Sequence, residues 1–191
     1  MSGGARRPHR RGRMAERPEA RAASLAELLS LESAKLLELY RKRENLSGDV
    51  LAGAGRLVSV PPPSAQLGAA DKLRRLHAAL LQCRSLTEGA VAKEDDEMGG
   101  GTGEYETLRK TVKERLSSLV NTVGELVKAA GGPTPALTPP ASGRGSEPDD
   151  PSLFALKLWL FRVFAEVDFW ARTAAGALRT LRNARSRGAR R

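Results

Sequence analysis

The sequence predicts an all-α protein, an up-up-down-down four-helix bundle, and three observations lead there. Four long runs carry apolar residues three and four positions apart, the spacing of one helix face. The connections between those runs are long, short and long. Only two short segments look strand-like, and the glycines and prolines gather mostly between the helical runs, where they act as punctuation.

The first helix is expected over about 24–45. Ser24 and Glu27 make an S-x-x-E capping box. Leu25, Leu28, Leu29, Leu36, Leu39 and Tyr40 then recur at helical spacing, with a polar gap at Glu32 and Ser33, and Asn45 to Gly48 ends the run. The second is expected over 69–93, its stripe marked by Leu73, Leu76, Leu80 and Cys83. The third, over 104–130, has the cleanest stripe: Tyr105, Leu108, Val112, Leu116, Leu119, Val123 and Leu126. Gly131-Gly132-Pro133 stops it, glycine past a helix end followed by proline. The fourth, over 151–186, opens with Asp150 as cap and Pro151 at the first helical position. Leu156, Leu160, Val163, Val167, Trp170 or Ala171, Ala174, Leu178 and Leu181 form its stripe.

The connections carry the topology. Residues 46–68, with Pro61-Pro62-Pro63, and residues 131–149 are each long, while 94–104 is short and glycine-rich. A helix of about 22 residues is about 33 Å long, and about 20 extended residues reach about 65 Å. Both long connections can therefore cross a full helix, and the short one suits antiparallel neighbours.

The net charge of +10 sits at the two ends. Residues 1–21 hold seven arginines against Glu16 and Glu19, and residues 172–191 hold seven arginines and no acid. The intervening body carries a small net negative charge. The expected organisation is a disordered arginine-rich tail over 1–21, one bundle over 22–186 and a basic tail over 187–191. The N-terminal stretch has charge but no apolar core of a secretory signal. The most apolar run, 153–171, is broken by Lys157, Arg162, Glu166 and Asp168, so no membrane insertion is expected. Cytoplasmic synthesis follows as the expectation, and one cysteine, Cys83, permits no internal disulfide.

Nothing points to catalysis, a metal or a cofactor. His9 lies in the tail and His77 beside the second stripe, read as a surface or boundary histidine. Cys83 reads as a small core residue. Gly99-Gly100-Gly101-Thr102-Gly103 lacks the lysine of a phosphate loop and follows no strand, so it reads as a flexible connection. Glu94-Asp95-Asp96-Glu97 lacks the ligand spacing of a calcium loop and reads as a solvated turn.

Six of the eight aromatic residues lie between 154 and 170 (Phe154, Trp159, Phe161, Phe164, Phe169 and Trp170), more than one stripe can bury. Phe154 is about 200° around the axis from Leu156, and Lys157 shares its face. An exposed ring beside a cation makes a compact recognition patch; packing of Phe154 under the preceding connection is the competing placement.

Residues 153–186 resemble the last helix of the ciliary neurotrophic factor family. The match lies in Phe-x-x-Lys (Phe154, Lys157), the following Leu158-Trp159, Trp170 and Leu178-Arg179. Leu39-Tyr40 through Leu46 is similar to the end of that family's first helix, and Thr102-Gly103-Glu104-Tyr105 to the start of its third. The resemblance implies a long-chain helical cytokine of the interleukin-six type, a neurotrophic growth factor acting outside cells after non-classical release. It implies contact of Phe154 and Lys157 with the leukaemia inhibitory factor receptor. It implies contact of the end of the last helix with the ciliary neurotrophic factor alpha receptor, where Arg179 matches a functional arginine. A second family arginine falls on Thr173, with Arg172 beside it. A shared signal-transducing cytokine receptor is implied on the first and third helices, with no matched residues. The family's tryptophan-bearing stretch is not found between Val50 and Leu67. A cardiotrophin-like cytokine is the related alternative. An RNA-binding protein using the arginine-rich ends and a lipid-surface protein using the aromatic helix are rivals of other classes, and neither accounts for the connection lengths or for Phe154 and Lys157.

Overall fold

The computed structural model describes residues 17–46, 55–131 and 152–188. They form four helices and, among the described residues, no strand: α1 (Pro18–Arg43), α2 (Ala69–Met98), α3 (Gly103–Ala129) and α4 (Leu153–Gly188). α1 packs on α3 and α4, and α2 also packs on α3 and α4. The four apolar stripes thus enclose one core.

α1 begins earlier than the Ser24–Glu27 capping box implies. Arg17 precedes the helix and Pro18 occupies its first turn, where a missing N–H costs nothing. Ala20, Ala22 and Ala23 then favour helix strongly. Ala22, Ala23 and Ala26 are fully buried, and Ser24 is an exposed position inside the helix. The true stripe is Ala22, Ala26, Leu29, Ser33, Leu36 and Tyr40. Leu28 therefore falls off it and is 45 % exposed, while Ser33 is buried in what reads from sequence as a polar gap. Residues 18–21, expected in the tail, are helical, as are 187 and 188 at the other end; residues 1–16 and 189–191 lie outside the described residues.

α2 starts at Ala69 as expected and runs through the acidic stretch to Met98. That stretch is therefore not a solvated turn: Glu94 is completely buried. Gly99 and Gly100 adopt φ of +72° and +71°, a left-handed conformation that glycine reaches without strain. Gly100 N–H donates to the Glu94 carbonyl at 3.2 Å. The Gly100 carbonyl accepts from Arg43 Nη2 at 3.1 Å. The glycine segment is a tied helix end rather than a flexible connection.

His77 is also buried, correcting its boundary placement. Its ring lies on Gly124 of α3, where a Cβ would stand 3.0 Å from Nε2. Cys83 is buried as expected, and burial first, then the Glu166 carboxylate, pushes its thiol upward. Gly131 follows α3 at φ +72°, while Gly132 and Pro133 lie outside the described residues. So do Asp150 and Pro151; α4 opens with Ser152 Oγ accepting from Ala155 N–H at 3.1 Å, an N-cap bond.

The aromatic run of α4 is covered on several sides. Trp159, Phe161, Phe164 and Trp170 are buried. Part of the cover comes from the first long connection: Leu57 and Val58 join the core. Leu57 N–H donates to Glu166 Oε2 at 3.4 Å. The Arg56 guanidinium lies 3.3 Å from the Phe169 ring centre, a cation–π contact. Ser59 N–H donates to Gln82 of α2 at 3.0 Å. This connection is a packed strap across α2 and α4.

Candidate functional site

The first turn of α4 presents the predicted patch. Phe154 is 62 % exposed and Leu153 beside it 53 %. Both extend outward because the stripe of this turn is taken by Leu156, Trp159 and Leu160. Lys157, one turn on, is not a free cation. Its Nζ lies 2.7 Å from Glu44 Oε2, a carboxylate just beyond α1 that is itself almost buried, and 3.2 Å separates the other Glu44 oxygen from Arg43 Nε. The lysine is thus half-covered and directed, with one side of its ammonium paired.

Beneath the patch lies a polar cluster that sequence reading missed. Glu94 accepts from Arg109 Nη1 at 2.8 Å, from Arg43 Nη1 at 3.0 Å and from the Tyr105 hydroxyl at 2.9 Å. Arg109, nearly buried, also reaches Asp95 at 2.6 Å and Glu106 at 2.5 Å. Burial alone would discourage its charge; hydrogen bonding and attraction from Asp95 and Glu94 outweigh that and hold its value above the usual range. Residues from α1, α2 and α3 are joined in this way.

The cluster reaches α4 through two tyrosines. The rings of Tyr105 and Tyr40 have centres 6.0 Å apart, and Tyr40 meets Phe164 edge-on at 5.2 Å. Tyr40 Oη then donates to the Lys157 carbonyl at 3.3 Å. Burial, helped by Glu44 and Glu94, pushes the Tyr40 phenol far above its ordinary value, and burial with Glu94 does the same to Tyr105. Both remain neutral hydroxyl donors at any physiological pH. The backbone under Phe154 and Lys157 is anchored to α1 by this bond.

Of the other two candidates, Arg172 lies near the middle of α4 and Arg179 in its C-terminal third. Arg172 is exposed and pairs with Asp168 on its own helix. Arg179 is exposed and reaches Glu27 of α1 at 3.0 Å. The four candidate residues therefore form two separate groups rather than one site. Among the described residues no cluster of histidine, cysteine or carboxylate side chains could hold a metal ion, and no helix is long and apolar enough to cross a membrane. No protein-family model matches the chain, and no curated protein matches it.

The sequence signal for the missed cluster was present but weak. Glu94, Arg109 and Tyr105 are charged or polar residues on core-facing positions of α2 and α3, and a charged residue is rarely buried unless paired. Their spacing along two different helices carried no motif.

Proposed function

We propose that this chain is a helical cytokine of the interleukin-six type, a neurotrophic-factor-like ligand that assembles cell-surface receptors and so triggers JAK–STAT signalling. The observation that carries the reading is Phe154, exposed in the first turn of α4 above an anchored backbone, with Lys157 one turn away. A rigid aromatic that buries its area in a partner's pocket is the usual form of a binding hot spot. The leukaemia inhibitory factor receptor is the proposed partner of this patch.

An up-up-down-down bundle is part of the proposal. It is supported by which ends meet. The C-terminal end of α1 lies beside the N-terminal ends of α3 and α4, through Tyr105 and Lys157 respectively. The N-terminal end of α1 meets the C-terminal end of α4 through Glu19 and Arg185. His77 early in α2 meets Gly124 late in α3, and Glu94 late in α2 meets Arg109 early in α3. Those pairings suit two helices in one direction and two in the other.

The remaining partners are assigned to other surfaces. Arg179 and Arg172 are proposed for the alpha receptor. The shared signal-transducing receptor is proposed for the α1–α3 side, where Leu28 and Leu31 are 45 % and 70 % exposed beside Glu32, which pairs with Arg115 of α3. A bundle that holds different receptor chains at fixed separation raises their effective concentration for one another. No catalytic step is required, and action outside the cell follows release of the finished protein.

The test is capture of the soluble leukaemia inhibitory factor receptor ectodomain by the wild-type chain and by a Phe154→Ala, Lys157→Ala variant of equal helicity. Capture by the first and not the second is expected. No capture by a well-folded wild type would remove the receptor assignment.

A further inference from the structure

The described parts of the two arginine-rich ends, 17–21 and 172–188, meet at one end of the fold. Arg185 near the end of α4 pairs with Glu19 in the first turn of α1, and about two turns further in Arg179 reaches Glu27 at 3.0 Å. These pairs bring Arg17, just before α1, and Arg21 in its first turn to the same level as Arg182, Arg185 and Arg187 of α4. All but Arg182 are exposed, and Arg182 is half-exposed. Arg21 N–H donates to the Arg17 carbonyl at 3.1 Å, which ties the two residues across the start of the helix. Arg179, Arg182 and Arg185 follow one another at three-residue steps and form a slowly winding stripe. Glu19 and Glu27 are the acids within these contacts.

The cation type is also selective. Residues 1–21 and 172–191 hold fourteen arginines and no lysine, whereas the rest of the chain uses both, ten arginines and eight lysines. Guanidinium is a planar fork that grips sulfate or phosphate oxygens in pairs and is more weakly hydrated than ammonium. Helix-dipole complementation accounts for a cation or two in the last turn of α4. It does not account for arginines at the start of α1, where the dipole disfavours them.

We propose that this end of the bundle is a binding pole for a sulfated polysaccharide of the cell-surface, heparin-like kind. A linear polymer carrying repeated sulfate groups matches a run of guanidinium groups without requiring a pocket. RNA fits less well. Binding to single strands pairs a basic track with aromatic side chains that stack on bases, and the aromatic residues of this chain are Tyr40, Tyr105 and those at 154–170, none of them in the pole. Phe154 and Arg185 are separated by about 46 Å of α4 at 1.5 Å per residue, so a polysaccharide at the pole leaves the Phe154 patch open. The pole shares Arg179 with the surface proposed for the alpha receptor but is independent of the Phe154 assignment: it binds its polyanion whether or not that patch binds a receptor.

The test uses the full chain and size-defined heparin, followed by fluorescence anisotropy across a salt series. One variant carries Arg17→Gln, Arg21→Gln, Arg182→Gln and Arg187→Gln, which leaves the Arg185–Glu19 and Arg179–Glu27 pairs intact. A charge-matched control carries Lys35→Gln, Arg41→Gln, Lys42→Gln and Lys110→Gln, all distant from the pole. Wild type is expected to bind heparin with a steep loss of affinity as salt rises. The pole variant is expected to bind at least about tenfold more weakly and with a shallower salt slope, as cations that contact the polyanion are removed. The control is expected to change less than about twofold, and desulfated heparin to bind at least about tenfold more weakly than heparin. Equal losses in the two variants, full binding of desulfated heparin, or tighter binding of an unstructured RNA of equal charge than of heparin would each overturn the proposal.

Discussion

Glu94→Gln removes one negative charge from the centre of the polar cluster and changes little else. Glu94 is fully buried and holds Arg109 at 2.8 Å, Arg43 at 3.0 Å and the Tyr105 hydroxyl at 2.9 Å. The neutral amide keeps the shape but weakens both charge-assisted bonds and turns one acceptor into a donor facing cations. Breaking a buried pair by removing one partner costs about 3–5 kcal/mol. Arg109 keeps Asp95 and Glu106, so the lower end applies, about 3 kcal/mol. For a chain of this size that is a fall in Tm of about 6–12 °C. Urea unfolding followed by circular dichroism reads it directly, with the double variant Glu94→Gln, Arg109→Met completing the cycle. Removing both members should recover part of the loss, because the buried Arg109 guanidinium then no longer faces an amide in place of the Glu94 carboxylate. A single variant within about 0.5 kcal/mol of wild type would refute the view that this pair ties α2 to α3.

Three further outcomes follow from other parts of the core. Burial, reinforced by Arg84 and Lys128, holds His77 below its ordinary value in the folded state; the unfolded chain then binds more protons between the two values, so stability is full above about pH 6.5 and falls as the pH drops through that window. His77→Leu should flatten the stability slope between about pH 5 and 7, and an unchanged slope would contradict this. Leu57→Ala should cost about 2–4 kcal/mol by denaturant unfolding, since Leu57 is a buried part of the strap and deleting such a side chain leaves a cavity; a cost under about 1 kcal/mol would mean that residues 55–59 do not help to close the core. Cys83, 1 % exposed and with its thiol pushed upward, should react with a thiol reagent only as fast as the protein unfolds, and rapid labelling of the native chain would place it elsewhere.

Much of this architecture is legible in the sequence, for identifiable reasons. The stripes of α3 and α4 are built from large apolar residues at steps of three and four, so periodicity finds them. α1 is harder to read because its N-terminal half packs through Ala22, Ala23 and Ala26. A reading weighted toward leucine selects Leu28, which faces outward. The angle of Phe154 places it off the stripe that Leu156 occupies, but it leaves open whether the preceding connection covers the ring, and only the fold shows it 62 % exposed. The state of Lys157 is not legible either, because its partner Glu44 is more than a hundred residues away in sequence. The same holds for Glu94: an acidic run beside glycines looks like a turn until Arg109 and Arg43 are brought to it by two other helices. Local pattern predicts where a side chain points along its own helix, and it carries no information about which residue of another helix will meet it.

The central claim is that Phe154 is a receptor contact rather than a packing residue. The most direct measurement is the affinity of Phe154→Ala for the leukaemia inhibitory factor receptor ectodomain by titration calorimetry, taken with its melting temperature and with Leu31→Ala as an exposed apolar control on α1. Loss of a hot-spot ring of about 2 kcal/mol corresponds to about a thirtyfold weaker Kd. The account predicts that loss for Phe154→Ala alone, with Tm within about 4 °C of wild type because the ring is 62 % exposed. Wild-type affinity in the Phe154→Ala variant, or a loss matched by a comparable fall in stability, would contradict it.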